Sequence, residues 1–128
     1  MVTGECTRAL RGATTVERND EKLIIEATME LLTTLLEQNG LDHEEIISII
    51  FTSTQDLNAA YPAVGARRLG LTHVPLMCAT ELPVLGSLPH CIRCLMHVHT
   101  VRPLHELRHV YLHEARSLRP DLTSHKEQ

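Results

Sequence analysis

The chain has 128 residues, with 12 Lys and Arg against 16 Asp and Glu, and a formal net charge of −4. This length predicts one domain, and a hydrophobic fraction of 43% is too high for a disordered chain. The acidic balance and the three aromatics, Phe51, Tyr61 and Tyr111, argue against a nucleic-acid partner, because a basic stripe and stacking rings are missing. Without a long apolar run or an apolar N-terminal segment, we expect no membrane partner, no export signal and a cytoplasmic protein with reduced cysteines.

The hydrophobic pattern predicts strands and helices in the order β-α-β-α-β-β-β. Predicted strands cover residues 6–15, 46–54, 74–80, 91–100 and 108–118, and predicted helices cover residues 20–39 and 63–69. Asn19 or Asp20 is the expected cap of the first helix, and Gly40 follows its end. The order indicates an α+β fold, a mixed five-stranded sheet with helices packed on one face. Residues 1–128 are predicted to form a single domain, with a short extension at 1–5 and a flexible tail at 121–128.

Arginine is the unusual component of the composition, with 10 Arg and only 2 Lys. The planar guanidinium grips a carboxylate or a phosphate with two parallel hydrogen bonds, which lysine does not do. Arg93 interrupts a strand that is otherwise apolar on both faces, and an unpaired buried guanidinium is costly. It either pairs with an acid, for which Glu81 at the end of an apolar strand is the candidate, or faces a cavity that receives an anion. The residues alone leave both readings open.

The segment 90–99 has the residue types of a zinc site, with two cysteines and several histidines. Side chains alternate along a strand, so Cys91 and Cys94 are predicted to lie on opposite faces. No Gly or Pro interrupts residues 91–99 to form the turn that a zinc CxxC pair uses. We therefore predict no metal ligands and keep a metal-binding module as an alternative. Phosphate-binding glycine motifs and a nucleophile elbow are also missing from the sequence.

Six stretches, in this order along the chain, carry a family resemblance. They are RGATTVE (11–17), TSTQDLNAAYPAVGAR (52–67), VPLMCATE (74–81), CIRCLM (91–96), RHVYL (108–112) and LRPDL (118–122). Together they resemble the monofunctional chorismate mutases of the trimeric, α/β-barrel-like class. The resemblance implies a pseudo-α/β-barrel homotrimer with active sites between subunits. It also implies the conversion of a small dicarboxylate, chorismate, to prephenate without a cofactor, on the route to phenylalanine and tyrosine.

The resemblance also implies roles for individual residues. Arg93 resembles the cation that bonds the ether oxygen of the substrate, and Glu81 resembles the carboxylate that bonds the ring hydroxyl. Cys78 resembles the neighbour of Glu81 in that contact, and these three are the predicted catalytic residues. The predicted substrate-binding residues are Arg11, Tyr61, Ala63, Arg67, Met77, Tyr111, Leu118 and Arg119.

The chain departs from the family pattern at two positions near these residues. Val64 stands where family members often have Lys, which removes a possible cationic contact, and Met77 stands where a hydroxyl residue is common. Neither departure touches Arg11, Glu81 or Arg93. A non-enzymatic trimeric protein that binds a small anion on the same scaffold remains the alternative function.

Overall fold

The computed structural model describes residues 4–118. Its strands are β1 (Cys6–Thr15), β2 (Ile46–Ser53), β3 (Leu76–Thr80), β4 (Cys91–Thr100) and β5 (Val110–Tyr111). Its α-helices are α1 (Glu21–Asn39) and α2 (Ala63–Arg68), and 3₁₀ turns cover His43–Glu45, Leu104–Glu106 and His113–Leu118. The predicted tail at 121–128 lies outside the described residues, and only Gly4 and Glu5 of the predicted extension are described.

The strands form one mixed sheet in the order β3-β2-β4-β1-β5. The long strand β4 pairs antiparallel with β1 on one side and with β2 on the other. The outer strands β3 and β5 run parallel to β2 and β1. The sequence therefore predicted the strand number and the mixed character of the sheet correctly.

The two faces of this sheet differ in what covers them. The face that carries Cys94, Met96 and Val98 of β4 is buried under α1 and α2, whose apolar residues join the same core cluster. We call it the helix face. The opposite face carries Arg93, Leu95 and His97, which are half-buried, and His99, which is exposed. We call this side the open face, and among residues 4–118 no α-helix covers it.

Helix α1 begins and ends where its sequence signals predict. The Asp20 side chain accepts a hydrogen bond from the Leu23 N–H at 3.0 Å, and Gly40 ends the helix in the left-handed region with φ 59°. The helix lies close to the sheet because Gly12 has no side chain: a Cβ there would lie 2.9 Å from Leu35 Cδ1. This close approach lets α1 pack directly on the helix face of the sheet.

The predicted fifth strand over residues 108–118 is wrong for most of its length. Only Val110 and Tyr111 form a strand, and a 3₁₀ turn begins at His113. The backbone of His113 has φ 55°, which an extended strand does not allow, and the Ala115 N–H then bonds to the Leu112 carbonyl. Strand β3 also begins two residues later than predicted, at Leu76 directly after Pro75.

Candidate active site

A register row across the open face brings the predicted reactive residues together. Arg93 of β4 pairs with Ala13 on one side and with Thr52 on the other. Ala13 also pairs with Tyr111 of β5. Paired residues direct their side chains to the same face of a sheet. The small Ala13 side chain is buried between the tyrosine and the arginine on this row.

Glu81 lies two residues beyond Ala79, which pairs with Thr52 at the β3 end of this row, and its side chain contacts Thr52. Its backbone N–H donates to the Ser53 carbonyl at 2.9 Å, which continues the β2–β3 pairing one residue beyond β3. Its Oε2 atom lies 3.4 Å from Arg93 Nε and accepts a hydrogen bond of 2.6 Å from the Thr52 hydroxyl. Of the two readings that the sequence left open for Arg93, the structure shows the acid partner, and it is Glu81.

The Arg93–Glu81 pair is an ion pair without a hydrogen bond at Nε. Arg93 Nε is buried and has no hydrogen-bond partner among residues 4–118, although Oε2 is only 3.4 Å away. The hydroxyl of Tyr111 is also buried without a partner in the same part of the chain. Buried polar groups are almost always hydrogen-bonded, so the two unpartnered groups on this row are candidates for contact with a polar ligand, although Arg8 Nε and the Thr14 hydroxyl on the helix face are also unpartnered among residues 4–118.

Cys91 lies beside Arg93 on the open face and is buried with Ala13 and Tyr111. Burial raises the pKa of its thiol, and the nearby positive charge of Arg93 opposes that shift without cancelling it. Cys94 lies in the core on the helix face, where burial raises its pKa to about 12. The two cysteines are thus on opposite faces, as predicted, and they cannot bind one metal ion together.

Three predicted binding residues also lie on the open face. Arg11 is exposed and pairs with Leu95, one row away from Arg93. Met77 is 63% exposed and lies at the β3 edge of the sheet, on the row that contains Arg11 and Leu95. Leu118 packs against the buried cluster that contains Tyr111, at the end of the 3₁₀ turn. The open face therefore gathers apolar and cationic side chains around the Arg93–Glu81 pair.

The structure does not bring the remaining predicted residues to this face. Ala63 is buried in the core of the helix face, and Cys78 also packs against that core. Tyr61, just ahead of α2, is 71% exposed, and Arg67 on α2 is exposed as well. Within one chain these residues lie away from Arg93. Arg119 lies outside the described residues.

The loop before β4 is held by a carboxylate. Both oxygens of Asp56 accept from the His90 N–H, at 3.2 and 3.1 Å, and one of them accepts from the Thr54 hydroxyl. Burial alone would raise the pKa of Asp56, but these hydrogen bonds and the nearby His90 ring together lower it. Because Cys91 follows His90 directly, this clamp fixes the start of the strand that carries Arg93.

Two residues of the site were not singled out by the sequence analysis. Thr52 contacts Glu81, and Ala13 lies between Tyr111 and Arg93 on the row. Both lie in stretches of the family resemblance, yet neither carries a charge that would mark it. The signal that locates them is the strand register, which a single sequence does not reveal.

Two further structural findings concern partners. No helix within residues 4–118 is long and apolar enough to cross a membrane. Over the same residues, no three His, Cys, Asp or Glu side chains are grouped so that they could hold a metal ion.

Comparisons with known proteins agree on one family. The family model for chorismate mutase type I matches residues 7–122. The chain is 51% identical over 118 residues to chorismate mutase AroH of Thermus thermophilus, covering 91% of this chain and 97% of that relative. It is 43% identical over 117 residues to chorismate mutase AroH of Bacillus subtilis (strain 168), covering 91% and 92%. A solved chorismate mutase from Clostridium thermocellum has a TM-score of 0.85 and 49% identity, covering 86% of this chain and 98% of that one.

Proposed function

The chain belongs to the chorismate mutase type I family and converts chorismate to prephenate in aromatic amino-acid biosynthesis, and we propose that the open face carries its active site. The observation that supports this placement most strongly is the row of Tyr111, Ala13 and Arg93 with Glu81 beside it. It presents a cation, an anion and a hydroxyl on one part of the open face.

The rearrangement makes simple demands on a protein. Chorismate breaks its ether bond and forms a carbon–carbon bond within one molecule, so no nucleophile, base or cofactor is needed. Negative charge develops on the ether oxygen and positive charge on the ring. The protein must hold a compact conformer of the flexible dicarboxylate and place fixed charges opposite the developing ones.

Because no group must titrate near neutrality, we expect the rate to vary little between about pH 6 and 9.

Arg93 is placed to stabilise the ether oxygen. Its Nε atom is buried without a hydrogen-bond acceptor on residues 4–118, and 30% of its side chain is exposed, so the guanidinium can reach a ligand on the open face. The donated bond gains strength as charge grows on the oxygen, so Arg93 acts on kcat more than on substrate binding.

Glu81 is placed to meet the ring. Its Oε2 atom is occupied by Thr52 and faces Arg93, whereas Oε1 makes no hydrogen bond or ion pair with the described part of the chain. Oε1 accepts a hydrogen bond from the ring hydroxyl and faces the developing positive charge. The Cys78 side chain packs against the core, so its proposed contact uses the backbone of the edge strand β3.

Arg11 and Tyr111 bind the side-chain carboxylate of the substrate. Arg11 is exposed one row from Arg93, and the Tyr111 hydroxyl has no hydrogen-bond partner among residues 4–118. Leu118 packs next to Tyr111 and brings the chain toward the cleft, and Arg119 follows it in sequence. Together these groups would hold one end of the dicarboxylate.

The second wall of the cleft comes from another copy of this chain in a homotrimer. The division of the predicted residues supports this: Tyr61, Ala63 and Arg67 lie away from Arg93 in one chain. The open face also exposes apolar side chains, such as Met77 and Ile50, at its β3 edge. A neighbouring subunit would cover them and bring its Tyr61 and Arg67 to the site, with Met77 lining the cleft between the two subunits.

The proposed location is the cytoplasm. Cys6, Cys78, Cys91 and Cys94 are all free thiols, which a reducing compartment maintains.

The test is a spectrophotometric assay of chorismate disappearance with the purified chain and no added metal. We expect conversion to prephenate at a rate that chelators do not change. Binding of chorismate without turnover would identify the alternative, a non-enzymatic anion binder on the same scaffold.

A further inference from the structure

We propose that Thr52 is a positioning residue that keeps Glu81 from closing on Arg93, so that both charged groups remain available to the substrate. The inference rests on the proposed roles of Glu81 and Arg93 and adds a residue to which no role has been given. It follows from the geometry of three side chains on neighbouring strands.

The Glu81 carboxylate lies farther from Arg93 than in a freely formed ion pair. A guanidinium and a carboxylate that meet freely form short, paired hydrogen bonds of about 2.7–2.9 Å. Here Oε2 lies 3.4 Å from Arg93 Nε, and Nε makes no hydrogen bond with any residue in the range 4–118. Both side chains are mostly shielded from solvent, with 30% and 25% of their surfaces exposed. Something therefore holds the carboxylate back from the tighter pairing.

Thr52 holds the Glu81 carboxylate in this position. The Thr52 hydroxyl donates a hydrogen bond of 2.6 Å to the same Oε2 atom. Thr52 is fixed in β2 directly opposite Arg93, and Glu81 is tied to the end of that strand through the Ser53 carbonyl. The bond to Thr52 is the short one and the contact with Arg93 is the long one, so the carboxylate is anchored to the strand beside the guanidinium.

The position of the Glu81 carboxylate matters for catalysis. A closed Arg93–Glu81 pair would neutralise both groups and use donors and acceptors that the substrate needs. The anchored carboxylate leaves Oε1 and Arg93 Nε without a hydrogen-bond partner in the described chain. This is preorganisation: the protein holds the two opposite charges as an ion pair without a hydrogen bond at Nε, at the positions where charge develops. Thr52 thus acts through Glu81 and Arg93 without contacting the reacting atoms.

The experiment compares Thr52→Val, which removes the hydroxyl and keeps the shape, with Thr52→Ser, which keeps the hydroxyl. We expect kcat to fall about tenfold in Thr52→Val with KM changed less than about threefold, and Thr52→Ser to restore kcat to within about threefold of the original. The matched control is Ser48→Ala. Ser48 is on the same strand and face, its hydroxyl contacts His97 at 3.3 Å instead of Glu81, and kcat should not change.

A double-mutant cycle separates positioning from a general structural effect. In a Glu81→Gln background the carboxylate that Thr52 anchors is gone, so adding Thr52→Val should lower kcat less than about twofold further. An equal tenfold loss in both backgrounds would overturn the proposal, and so would an unchanged kcat in Thr52→Val.

A crystal structure of Thr52→Val tests the same idea without turnover. We expect a Glu81 carboxylate oxygen to move to about 2.8 Å from an Arg93 nitrogen, as a hydrogen-bonded pair. A carboxylate that stays in place at 3.4 Å would contradict the role of Thr52. If the unmodified chain failed to convert chorismate, the proposed site would fall, whereas this structure would still report whether Thr52 holds the two charges apart.

Discussion

The helix face and the open face of the sheet are built from the same strands and have opposite properties. Phe51 is fully buried on the helix face, and Thr52, the next residue, contacts Glu81 on the open face. Likewise Cys94 is buried in the core, whereas Arg93 beside it carries an incompletely satisfied charge. Because side chains alternate along a strand, neighbouring residues lie on opposite faces, one in the core and the next in the proposed site.

The helix face and the open face differ in how closely they are packed and in which charged groups they carry. The helix face is apolar and closely packed, with Gly12 letting α1 approach the sheet. Among residues 4–118, both faces keep buried polar atoms without a hydrogen-bond partner, which costs stability in the unliganded protein: Arg93 Nε and the Tyr111 hydroxyl on the open face, and Arg8 Nε and the Thr14 hydroxyl on the helix face. Changes on the helix face should therefore lower stability, and changes on the open face should lower activity.

The largest effect is expected at Arg93. Arg93→Ala should lower kcat by about three orders of magnitude or more, because the only cation on the central row is lost. Arg93→Lys should also be severe, since a point charge does not reproduce the planar fork. Steady-state kinetics measure both, with Arg18→Ala as the control, because the Arg18 side chain is 68% exposed and forms an ion pair with Glu17 at 3.9 Å. Full activity in Arg93→Ala would contradict the assigned role.

A comparable test of the helix face is Gly65→Ala. An added Cβ would lie 2.8 Å from Thr28 Cβ and 3.0 Å from the Ile25 carbonyl oxygen, and that backbone atom belongs to α1. The better helix propensity of alanine offsets part of this overpacking, so we expect a loss of about 1–2 kcal/mol in the free energy of unfolding. Urea unfolding measures it, with Arg68→Ala on the exposed side of α2 as control. Stability equal to the parent would mean that α1 and α2 are packed less closely.

Tyr111→Phe separates the two properties at one residue. The hydroxyl is buried and bonds to no described residue, so its removal should leave the unfolding free energy unchanged or slightly raised. If the hydroxyl binds a substrate carboxylate, KM should rise about tenfold while kcat changes little. Paired kinetic and unfolding measurements decide this. A loss of stability with unchanged KM would show that the hydroxyl has a structural partner.

The smallest effect concerns the loop clamp at Asp56. Its pKa is lowered from 3.8 in the folded state, so the stabilisation is present above pH 3.8 and is lost as the pH falls through the lower folded value. The side chain is 39% exposed, so solvent screens part of the interaction. Asp56→Asn should cost about 0.5–1 kcal/mol of unfolding free energy at pH 7, and the difference should be smaller at about pH 3. An equal difference at both pH values would show that the charge of Asp56 does not contribute.

The sequence predicted the frame of the fold better than its C-terminal end. The periodicity and caps of α1 depend on local residues, and the structure confirms Asp20 and Gly40 in those roles. The end of β5 depends on the positive φ of His113 and on pairing with β1 from far along the chain, so a local pattern cannot show it. Burial and alternation marked Arg93 as unusual, but the placement of Thr52 opposite it required the register.

The site was predictable only in part, for a similar reason. The resemblance named the charged residues, and the structure brings Arg93, Glu81, Arg11 and Tyr111 to one face. It leaves Tyr61 and Arg67 elsewhere, because a single chain contains only one wall of the proposed cleft. Which residues complete a site between subunits depends on assembly, and no local property of the sequence encodes it.

The most direct test of the intersubunit site is complementation between Arg93→Ala and Arg67→Ala. Each variant alone should have little activity at low chorismate concentration, because every site lacks one arginine. When the two are unfolded together in equal amounts and refolded, random trimers should contain about one quarter of their sites with both arginines, so about one quarter of the parental kcat/KM should return. No recovery above the two separate variants, in trimers shown to be mixed, would contradict a site shared between subunits.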